Sequence, residues 1–273
     1  MSVTSFTVFS IAYHHVNLNL NNVDTSKTLY IITPTHNGYG QIPHLTRLGI
    51  TLRQVRNIHW LVVEDAPTTN PNIEALLRRS NVKYTYLHAE TDRKSTMQGR
   101  GVEQRNCALD YISKLNPVDG LVYFADDDNT YDLELFKVLR RTKYCGVLPV
   151  GLLGQMPYES FEIMDGKVVG FYAAFGLDRK FQIDMAGFVV HVSALTKNNP
   201  PRFKRTPLMG VLETDFLEQV VTNMSQLEPI AYDFDRILVW HTKTQNIALL
   251  SLEQYKSNYG SNRDMTRFPV LIY

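Results

Sequence analysis

A short apolar run that ends in three consecutive aspartates constrains this 273-residue chain more than any other feature. Residues 121–124 are apolar or aromatic and predict a buried strand, and Asp126, Asp127 and Asp128 follow almost directly. Adjacent carboxylates repel one another unless a cation neutralises them. Ligands of open α/β sheets bind at the carboxyl ends of strands, and oxygen ligands favour a hard cation such as Mg²⁺ or Mn²⁺. The run therefore predicts a metal–diphosphate site.

Helix capping is the structural alternative for these acidic residues. The segment 131–141 has a helical pattern, which Asn129 or Thr130 would cap, with Asp132 in the first turn. Capping accounts for one or two polar side chains but not for three consecutive carboxylates, so the run favours the metal site.

Composition and charge argue against several classes of function. Lys and Arg total 28 and Asp and Glu total 27, and the net charge of +1 does not favour general nucleic-acid binding. The apolar run 6–16 is too short to span a bilayer and lacks a cleavage site, so we expect no membrane anchor in it. Two cysteines, Cys107 and Cys145, do not make a disulfide framework and are expected to be buried thiols.

Alternating strand-like and helix-like segments predict the fold class. Strand patterns of the first half cover residues 29–32, 60–63, 82–88, 121–124 and 146–152. Helix patterns between them cover residues 45–55, 73–79, 103–114 and 131–141. This rhythm predicts an α/β fold with a parallel sheet, helices on both faces and right-handed crossovers. After a boundary near residue 150 the patterns become mixed, with strands at 168–175, 181–191 and 237–240 and a helix at 213–221.

Polar side chains near the predicted strand ends each have a functional and a structural interpretation. Asp65 ends a strand pattern, where it can accept from a nucleoside or form an Asx turn before Pro67. Arg100 and Arg105 open a helix, where the positive end of the dipole favours an anionic ligand, although surface arginines are usually solvated.

The second half carries four further candidates. Asp184 interrupts an apolar pattern, and a buried carboxylate must be paired or functional. His241 and Lys243 end the last strand pattern and can reach a phosphate, with a core histidine and a surface lysine as the alternatives. Glu213 opens a helix, where an acidic residue is expected on dipole grounds alone, so the pattern ranks it as a capping residue.

Six sequence blocks occur in order between about residues 28 and 245. They are Ile-Thr-Pro-Thr from residue 32, His-Trp-Leu-Val-Val-Glu-Asp-Ala from 59, Arg-Gly-Val-Glu-Gln-Arg-Asn from 100, Val-Tyr-Phe-Ala-Asp-Asp-Asp-Asn-Thr-Tyr from 122, Asp-Met-Ala-Gly-Phe from 184 and Leu-Val-Trp-His-Thr from 238. Together they resemble the β1,3-glucuronyltransferase family of animal glycan synthesis. The third block is most similar to the member that acts on the galactose–galactose–xylose linker of proteoglycans.

The resemblance implies an A-type glycosyltransferase fold, with a Rossmann-like nucleotide-binding half and a mixed-sheet acceptor half. It implies inverting, Mn²⁺-dependent transfer of glucuronic acid from UDP-glucuronate to the 3-hydroxyl of a terminal β-galactose. It further implies a homodimer and a type II membrane form in the Golgi lumen. The chain then divides into an N-terminal segment (1–27), a UDP-sugar-binding subdomain (28–150), an acceptor-binding and catalytic subdomain (151–245) and a C-terminal tail (246–273).

Family roles on the metal and uridine side carry over by position. The resemblance makes Asp128 the main Mn²⁺ ligand and places Asp126 and Asp127 near the ribose and the sugar. Pro34 and Asp65 would hold the uridine.

Other family roles concern the charged part of the donor. The resemblance places Arg100 and Arg105 against the donor, and we expect Arg100 to bind its carboxylate, since Arg pairs with a carboxylate through two hydrogen bonds. His241 would reach the diphosphate. Lys243 replaces an Arg that helps to hold the donor, which keeps the charge and loses the bidentate geometry. His36 stands where relatives have a Tyr that lies near uracil.

On the acceptor side, the resemblance changes the role of Glu213, which the helical pattern ranked as a capping residue. Glu213 matches the catalytic base of the family. Glu159, Arg179 and Asp184 match contacts to the acceptor or the donor sugar, and Phe175 replaces a Trp that supports the acceptor.

Two alternatives to glucuronyl transfer stay open at this point. The same fold and metal site can serve another UDP-sugar, such as UDP-xylose, in which case changing Arg100 would harm transfer little. A catalytically weak glycan- or nucleotide-binding protein is the second alternative, in which Glu213→Ala would change no rate.

Overall fold

The computed structural model describes residues 26–92, 99–117, 119–174, 178–208, 210–231 and 236–242. Across these residues the helices are α1 (Gln41–Leu52), α2 (Pro71–Arg79), α3 (Val102–Leu115), α4 (Leu133–Leu139) and α5 (Leu212–Val220). The strands are β1 (Thr28–Thr35), β2 (Ile58–Glu64), β3 (Tyr84–His88), β4 (Gly120–Phe124), β5 (Thr130–Tyr131), β6 (Cys145–Val147), β7 (Val150–Leu153), β8 (Met156–Met164), β9 (Lys167–Tyr172), β10 (Phe188–His191), β11 (Glu228–Pro229) and β12 (Val239–Trp240).

A seven-stranded sheet forms the centre of the fold, with the strand order β11-β6-β10-β4-β1-β2-β3. Strands β3, β2, β1 and β4 run parallel, whereas β10 runs antiparallel to both of its neighbours. The predicted α/β class is confirmed. The parallel arrangement predicted for the first half of the chain holds for β1 to β4, and β10, from the second half, inserts antiparallel between β4 and β6.

Both faces of the central sheet are covered by helices. Side chains alternate across a strand, so Leu29 and Ile31 of β1 pack under α1 and α2, while Tyr30 and Ile32 pack with α3 and α5 on the other face. The sequence of a strand that is buried on both faces is apolar along its whole length. This explains why these strands were visible as apolar runs in the sequence.

A second sheet of five strands, in the order β5-β12-β7-β8-β9, lies beside the aspartate run. Strand β12 pairs antiparallel with β5, which begins just after that run, and parallel with β7. The backbone N–H of His241 continues this pairing by donating to the Gly151 carbonyl, with an N···O distance of 2.9 Å. The second sheet thus brings His241 toward the end of β4.

Several predicted boundaries differ from the structure. Helix α4 begins later than expected because Asp132 is its N-cap, accepting from the Glu134 N–H at 2.8 Å, so neither Asn129 nor Thr130 caps it. The strand predicted over 181–191 is limited to β10. The strand predicted over 146–152 is divided between β6 and β7.

Asp184 is not part of a strand, which corrects its predicted setting. Its side chain caps a single 3₁₀ turn, Met185–Gly187, and accepts from the Ala186 N–H at 2.9 Å. The boundary predicted at residue 150 stays a prediction, although the central sheet takes β10 and β11 from beyond it.

The remaining fold predictions concern thiols and chain ends. Cys107 and Cys145 are free thiols; Cys145 is buried, as predicted, and Cys107 is half-buried. No helix in the described parts of the chain has the length and apolar character needed to cross a bilayer. The apolar run 6–16 and the tail 246–273 lie outside the described residues.

Four phenylalanines connect α5 to the strand that carries the aspartates. Phe124 ends β4, and its ring centroid lies 5.6 Å from that of Phe188, 5.1 Å from that of Phe203 and 5.6 Å from that of Phe216. Phe203 and Phe216 stack with centroids 4.4 Å apart. Because Phe216 belongs to α5, this aromatic cluster sets the position of the helix relative to the end of β4.

Phe216→Ala is expected to lower the free energy of unfolding by about 3–5 kcal/mol, because it leaves a cavity among packed rings. Urea denaturation followed by circular dichroism measures the change. Met164→Ala, at an exposed position in the β8–β9 hairpin, is the control and should change stability by less than about 0.5 kcal/mol. A loss below about 1 kcal/mol for Phe216→Ala would contradict the role of the cluster.

Candidate active site

The carboxyl ends of three parallel strands meet at one edge of the central sheet. The Asp65 N–H donates to the Thr35 carbonyl at 2.8 Å, and the Ala125 N–H donates to the Ile32 carbonyl at 2.9 Å. The loops after β1, β2 and β4 are therefore adjacent, as expected for the ligand-binding edge of such a sheet.

The three aspartates after β4 lie in three different settings. Asp126 forms an ion pair with Arg105, with 2.7 Å between Oδ1 and Nη2. Asp127 Oδ2 accepts from the Thr35 hydroxyl at 2.6 Å. The carboxylate of Asp128 makes no hydrogen bond to another described residue, although its main-chain carbonyl accepts one from Arg47. Of the three, Asp128 offers the carboxylate that is available to a ligand.

Burial, together with the crowding of like charges, makes the Asp127 carboxyl a weaker acid. Burial raises the pKa of this carboxyl to about 7, the charges of Asp126 and Asp128 add to the rise, and the Thr35 hydrogen bond opposes it. His44 lies close, with 3.9 Å between its Nδ1 and Asp127 Oδ1, and burial lowers the pKa of its imidazole. The aspartate run is thus held together at a free-energy cost that a bound cation would reduce.

The donor set fits a cation that arrives with a phosphate ligand. Among the described residues, no group of three or more His, Cys, Asp or Glu side chains is arranged to hold a metal ion. A hard divalent cation can bind through one or two carboxylates when water and substrate phosphates supply its other ligands. Asp128 meets this requirement, whereas Asp126 and Asp127 already have partners.

Arg105 is buried beneath this loop and is held by both of its terminal nitrogens. Nη1 donates to the Arg100 carbonyl at 2.9 Å, and Nη2 binds Asp126. Gly101 makes this possible, because its φ is +72° and an added Cβ would lie 2.4 Å from Arg105 Nη1. The two arginines that the sequence grouped together are therefore separated: Arg105 supports the loop, while the Arg100 side chain is exposed.

Pro34 and Asp65 lie at neighbouring strand ends, as predicted for a nucleoside site. Pro34 is half-buried near the end of β1. Asp65 Oδ1 accepts from the Thr91 N–H at 2.8 Å, which joins the loop after β2 to the loop after β3. The contact orients the Asp65 carboxyl, and no residue that the structure describes donates a hydrogen bond to its second oxygen.

An open cleft of about 730 Å³ beside the second sheet brings together side chains from distant parts of the sequence. Glu159 comes from β8, Asp184 from the cap of the 3₁₀ turn, Glu213 from the first turn of α5 and His241 from the end of β12. The other lining residues are Leu152, Leu153, Gly154, Gln155, Arg179, Gly210 and Thr242.

Glu213 is the carboxyl in this cleft whose pKa most clearly indicates a role in proton transfer. Its side chain is 15% exposed, and burial raises its pKa to about 7, with the negative charge of Asp184 acting in the same direction. Arg179 opposes the shift, with 3.8 Å between its Nη1 and Glu213 Oε2. A carboxyl whose pKa lies near neutrality is suited to exchange a proton with a substrate hydroxyl.

The other acidic groups of the cleft are also harder to ionise than in water. Burial raises the pKa of Glu159, whose Oε1 accepts from the Ala174 N–H at 3.4 Å. Burial also raises the pKa of Asp184, while His241 opposes that shift. Asp184 is close enough to Asp126 for their charges to interact, so the cleft adjoins the aspartate run.

Two predicted residues and several unpredicted ones complete the description. Phe175 and Lys243 lie outside the described residues. Thr35 was not singled out, although it follows Pro34 in the first sequence block and contacts Asp127. Arg47 carried no sequence signal, because an arginine on a helix surface is ordinarily solvated.

Comparisons with known proteins give one consistent result. The model of glycosyltransferase family 43 matches residues 48–245. Human galactosylgalactosylxylosylprotein 3-beta-glucuronosyltransferase 2 is 41% identical over 235 residues, which cover 84% of this chain and 72% of the relative. Rat galactosylgalactosylxylosylprotein 3-beta-glucuronosyltransferase 1 is 42% identical over 242 residues, with the same two shares.

Among solved structures, S. aureus TarS in complex with UDP-GlcNAc aligns with a TM-score of 0.51 at 15% identity, over 89% of this chain and 70% of that chain. The complex of TarS with UDP aligns with the same TM-score at 14% identity, over 89% and 69%. At such low identity the likeness concerns the fold alone, and it confirms the A-type glycosyltransferase fold.

Glu213→Gln is expected to stabilise the protein more at about pH 8 than at about pH 5, by about 1–3 kcal/mol. Between the ordinary pKa of 4.5 and the folded value of about 7, the folded state binds more protons than the unfolded state. The free energy of unfolding therefore falls as pH rises through this window, and the Gln variant lacks that fall.

Urea denaturation of both proteins at the two pH values measures this difference. Glu162→Gln, at an exposed position of β8, is the control and should show no such pH dependence. An equal stability change for Glu213→Gln at both pH values would contradict the shifted pKa.

Proposed function

Because this chain belongs to glycosyltransferase family 43, we propose that it moves glucuronic acid from UDP-glucuronate to the 3-hydroxyl of a terminal β-galactose. Relatives at 41% and 42% identity are named galactosylgalactosylxylosylprotein 3-beta-glucuronosyltransferases. The observation that carries the proposal is the cleft that Glu213 and His241 both line, together with Asp184, which lies close to Asp126 of the aspartate run.

Glu213 acts as the general base on the acceptor side. In a direct displacement, the acceptor oxygen bonds to C1 of the sugar as the bond from C1 to the diphosphate oxygen breaks, and the configuration inverts. The proton of the 3-hydroxyl passes to the Glu213 carboxylate, whose pKa of about 7 suits this transfer. Arg179, 3.8 Å away, limits the rise in that pKa and keeps a useful fraction of the carboxylate charged at neutral pH.

Acceptor binding uses the remaining polar side chains of the cleft. Glu159 and Asp184 line the cleft with Glu213, where their carboxyl groups can hydrogen-bond to the sugar hydroxyls. Phe175 would lie under the acceptor, by the resemblance to the family.

Donor binding uses the edge of the central sheet. Pro34 and Asp65 hold the uridine at the ends of β1 and β2, and Asp126 and Asp127 lie toward the ribose and the sugar. Arg105 supports this site indirectly, because its side chain binds Asp126 and the Arg100 carbonyl.

Three side chains on the donor side can bind the anionic groups of the donor. His241 reaches the diphosphate from the end of β12, and Lys243 follows it along the chain. The exposed Arg100 binds the carboxylate of glucuronate through paired hydrogen bonds.

Asp128 would hold the divalent cation, which we propose to be Mn²⁺. When bound, a divalent cation neutralises the negative charge that grows on the leaving diphosphate. The available carboxylate of Asp128 supports this assignment. On the resemblance to the family, we also propose that the protein forms a homodimer and acts in the Golgi lumen.

The reaction is tested by incubating the purified protein with Mn²⁺, a Gal-β1,3-Gal acceptor and an equimolar mixture of UDP-sugars. We expect mass spectrometry to find the acceptor heavier by one glucuronic acid. A pentose or hexose adduct would contradict the proposed donor, and unmodified acceptor would contradict the proposed transfer to a β-galactoside.

Arg100→Ala tests in the same assay why glucuronate is selected. Losing a guanidinium that pairs with the donor carboxylate is expected to lower kcat/KM for UDP-glucuronate by about 10- to 100-fold, equivalent to a charged hydrogen bond of about 1.5–3 kcal/mol. Arg78→Ala, on the outer surface of α2, is the matched control. Equal activity of Arg100→Ala and the parent protein would exclude Arg100 from this role.

Glu213→Gln is expected to lower kcat by about 10²–10⁴, as for the loss of a general base, while donor binding is nearly kept. Steady-state kinetics give kcat, and calorimetric titration with UDP gives donor affinity. Glu162→Gln should leave both unchanged. A Glu213→Gln variant with parental kcat would remove Glu213 from the role of base.

A further inference from the structure

The main chain at Asp128 is held from two sides by side chains that no family role assigns. Arg47 Nη2 donates to the Asp128 carbonyl at 2.7 Å and lies 3.4 Å from the Asn129 carbonyl. The Thr242 hydroxyl donates to the same Asp128 carbonyl. One carbonyl oxygen therefore accepts two hydrogen bonds, and a positive charge lies on one side of it.

The two donors come from different layers of the fold. Arg47 projects from α1, whose opposite face carries Leu45 and Leu48 into the core against the central sheet. Thr242 follows β12 of the second sheet, and its hydroxyl also lies 3.2 Å from that of Thr130. The contacts span 81 and 114 positions of sequence, so they tie the Asp128 loop to α1 and to the end of β12.

These hydrogen bonds restrain the main chain at Asp128 but do not involve its carboxylate. The Asp126 carbonyl is held in turn by the Tyr131 hydroxyl at 2.8 Å. With both carbonyls anchored, the direction in which the Asp128 side chain leaves the backbone is set. Its carboxylate nevertheless has no hydrogen-bond partner among the residues that the structure describes.

We propose that Arg47 and Thr242 are positioning residues, which fix the Asp128 main chain so that its carboxylate points toward the cation and diphosphate. The inference rests on the proposed function, since it assigns Asp128 the role of cation ligand. Outer partners that orient a metal ligand are worth about 10- to 100-fold in metal affinity. Thr242 is the neighbour of His241, so the same anchor sets the spacing between the proposed cation ligand and the group that reaches the diphosphate.

A purely structural role would act on the stability of the loop and not on cation binding. The test therefore measures UDP affinity by calorimetry with and without Mn²⁺, because the ratio of the two affinities isolates the contribution of the cation. Arg47→Met and Thr242→Val remove the donors and keep the approximate side-chain volume. Arg47→Lys and Thr242→Ser keep a donor at each position.

We expect Arg47→Met and Thr242→Val each to reduce the Mn²⁺-dependent gain in UDP affinity by about 10-fold or more. Affinity without Mn²⁺ should stay at the parental value. Thr242→Ser should restore the gain, and Arg47→Lys should restore it in part, since an ammonium keeps the charge but loses the planar fork. Arg78→Met and Thr46→Val are the controls, because Arg78 pairs with Glu74, Thr46 donates to the Ile42 carbonyl, and neither contact involves the Asp128 loop.

The outcomes separate this inference from the proposed function. Parental protein whose UDP affinity does not respond to Mn²⁺ would overturn the proposed cation site and the positioning role together. A normal response in the parent that Arg47→Met and Thr242→Val leave unchanged would overturn the positioning role alone. Equal losses with and without Mn²⁺, or a loss that Thr242→Ser fails to restore, would also overturn it.

Discussion

The repulsion among three consecutive carboxylates at the end of β4 is the constraint on which the site depends. The three carboxylates have different partners in the fold. Asp126 pairs with a buried guanidinium, Asp127 accepts a hydrogen bond from a hydroxyl, and Asp128 keeps an available carboxylate. Arg105 can reach Asp126 because Gly101 adopts a left-handed backbone conformation that leaves room for the folded side chain. Pairing neutralises the charge of Asp126, and burial disfavours the charged form of Asp127. Both effects reduce the repulsion that acts on Asp128, the remaining acidic ligand at the edge of the sheet.

Packing beneath the site links the two halves of the proposed reaction. The aromatic cluster joins the end of β4, which leads into the aspartates, to α5, which carries Glu213. The leaving group and the base are therefore positioned by the same core. Burial raises the pKa of Glu213, which lies in the first turn of the helix that this cluster positions.

Much of the fold could be predicted because its signals are local. The buried strands β1, β2 and β4 appear as apolar runs, and α3 appears as an amphipathic segment. The insertion of β10 was not predicted, because strand pairing across long sequence separation leaves no local pattern. Asp132 displaced Asn129 and Thr130 as the helix cap, and all three residues are good caps by type, so tertiary contacts decided among them.

By itself the sequence determined the α/β class, the family and the chemical groups at the strand ends, because periodicity and motif spacing are properties of the chain. Only the tertiary structure decided which of those groups pair with one another and which are available to a ligand. It buried Arg105 and exposed Arg100, made Asp184 a cap, and brought Arg47 and Thr242 to one carbonyl. The physical reason is that hydrogen bonds, ion pairs and desolvation depend on distances between residues far apart in sequence, and these exist only after the chain has folded.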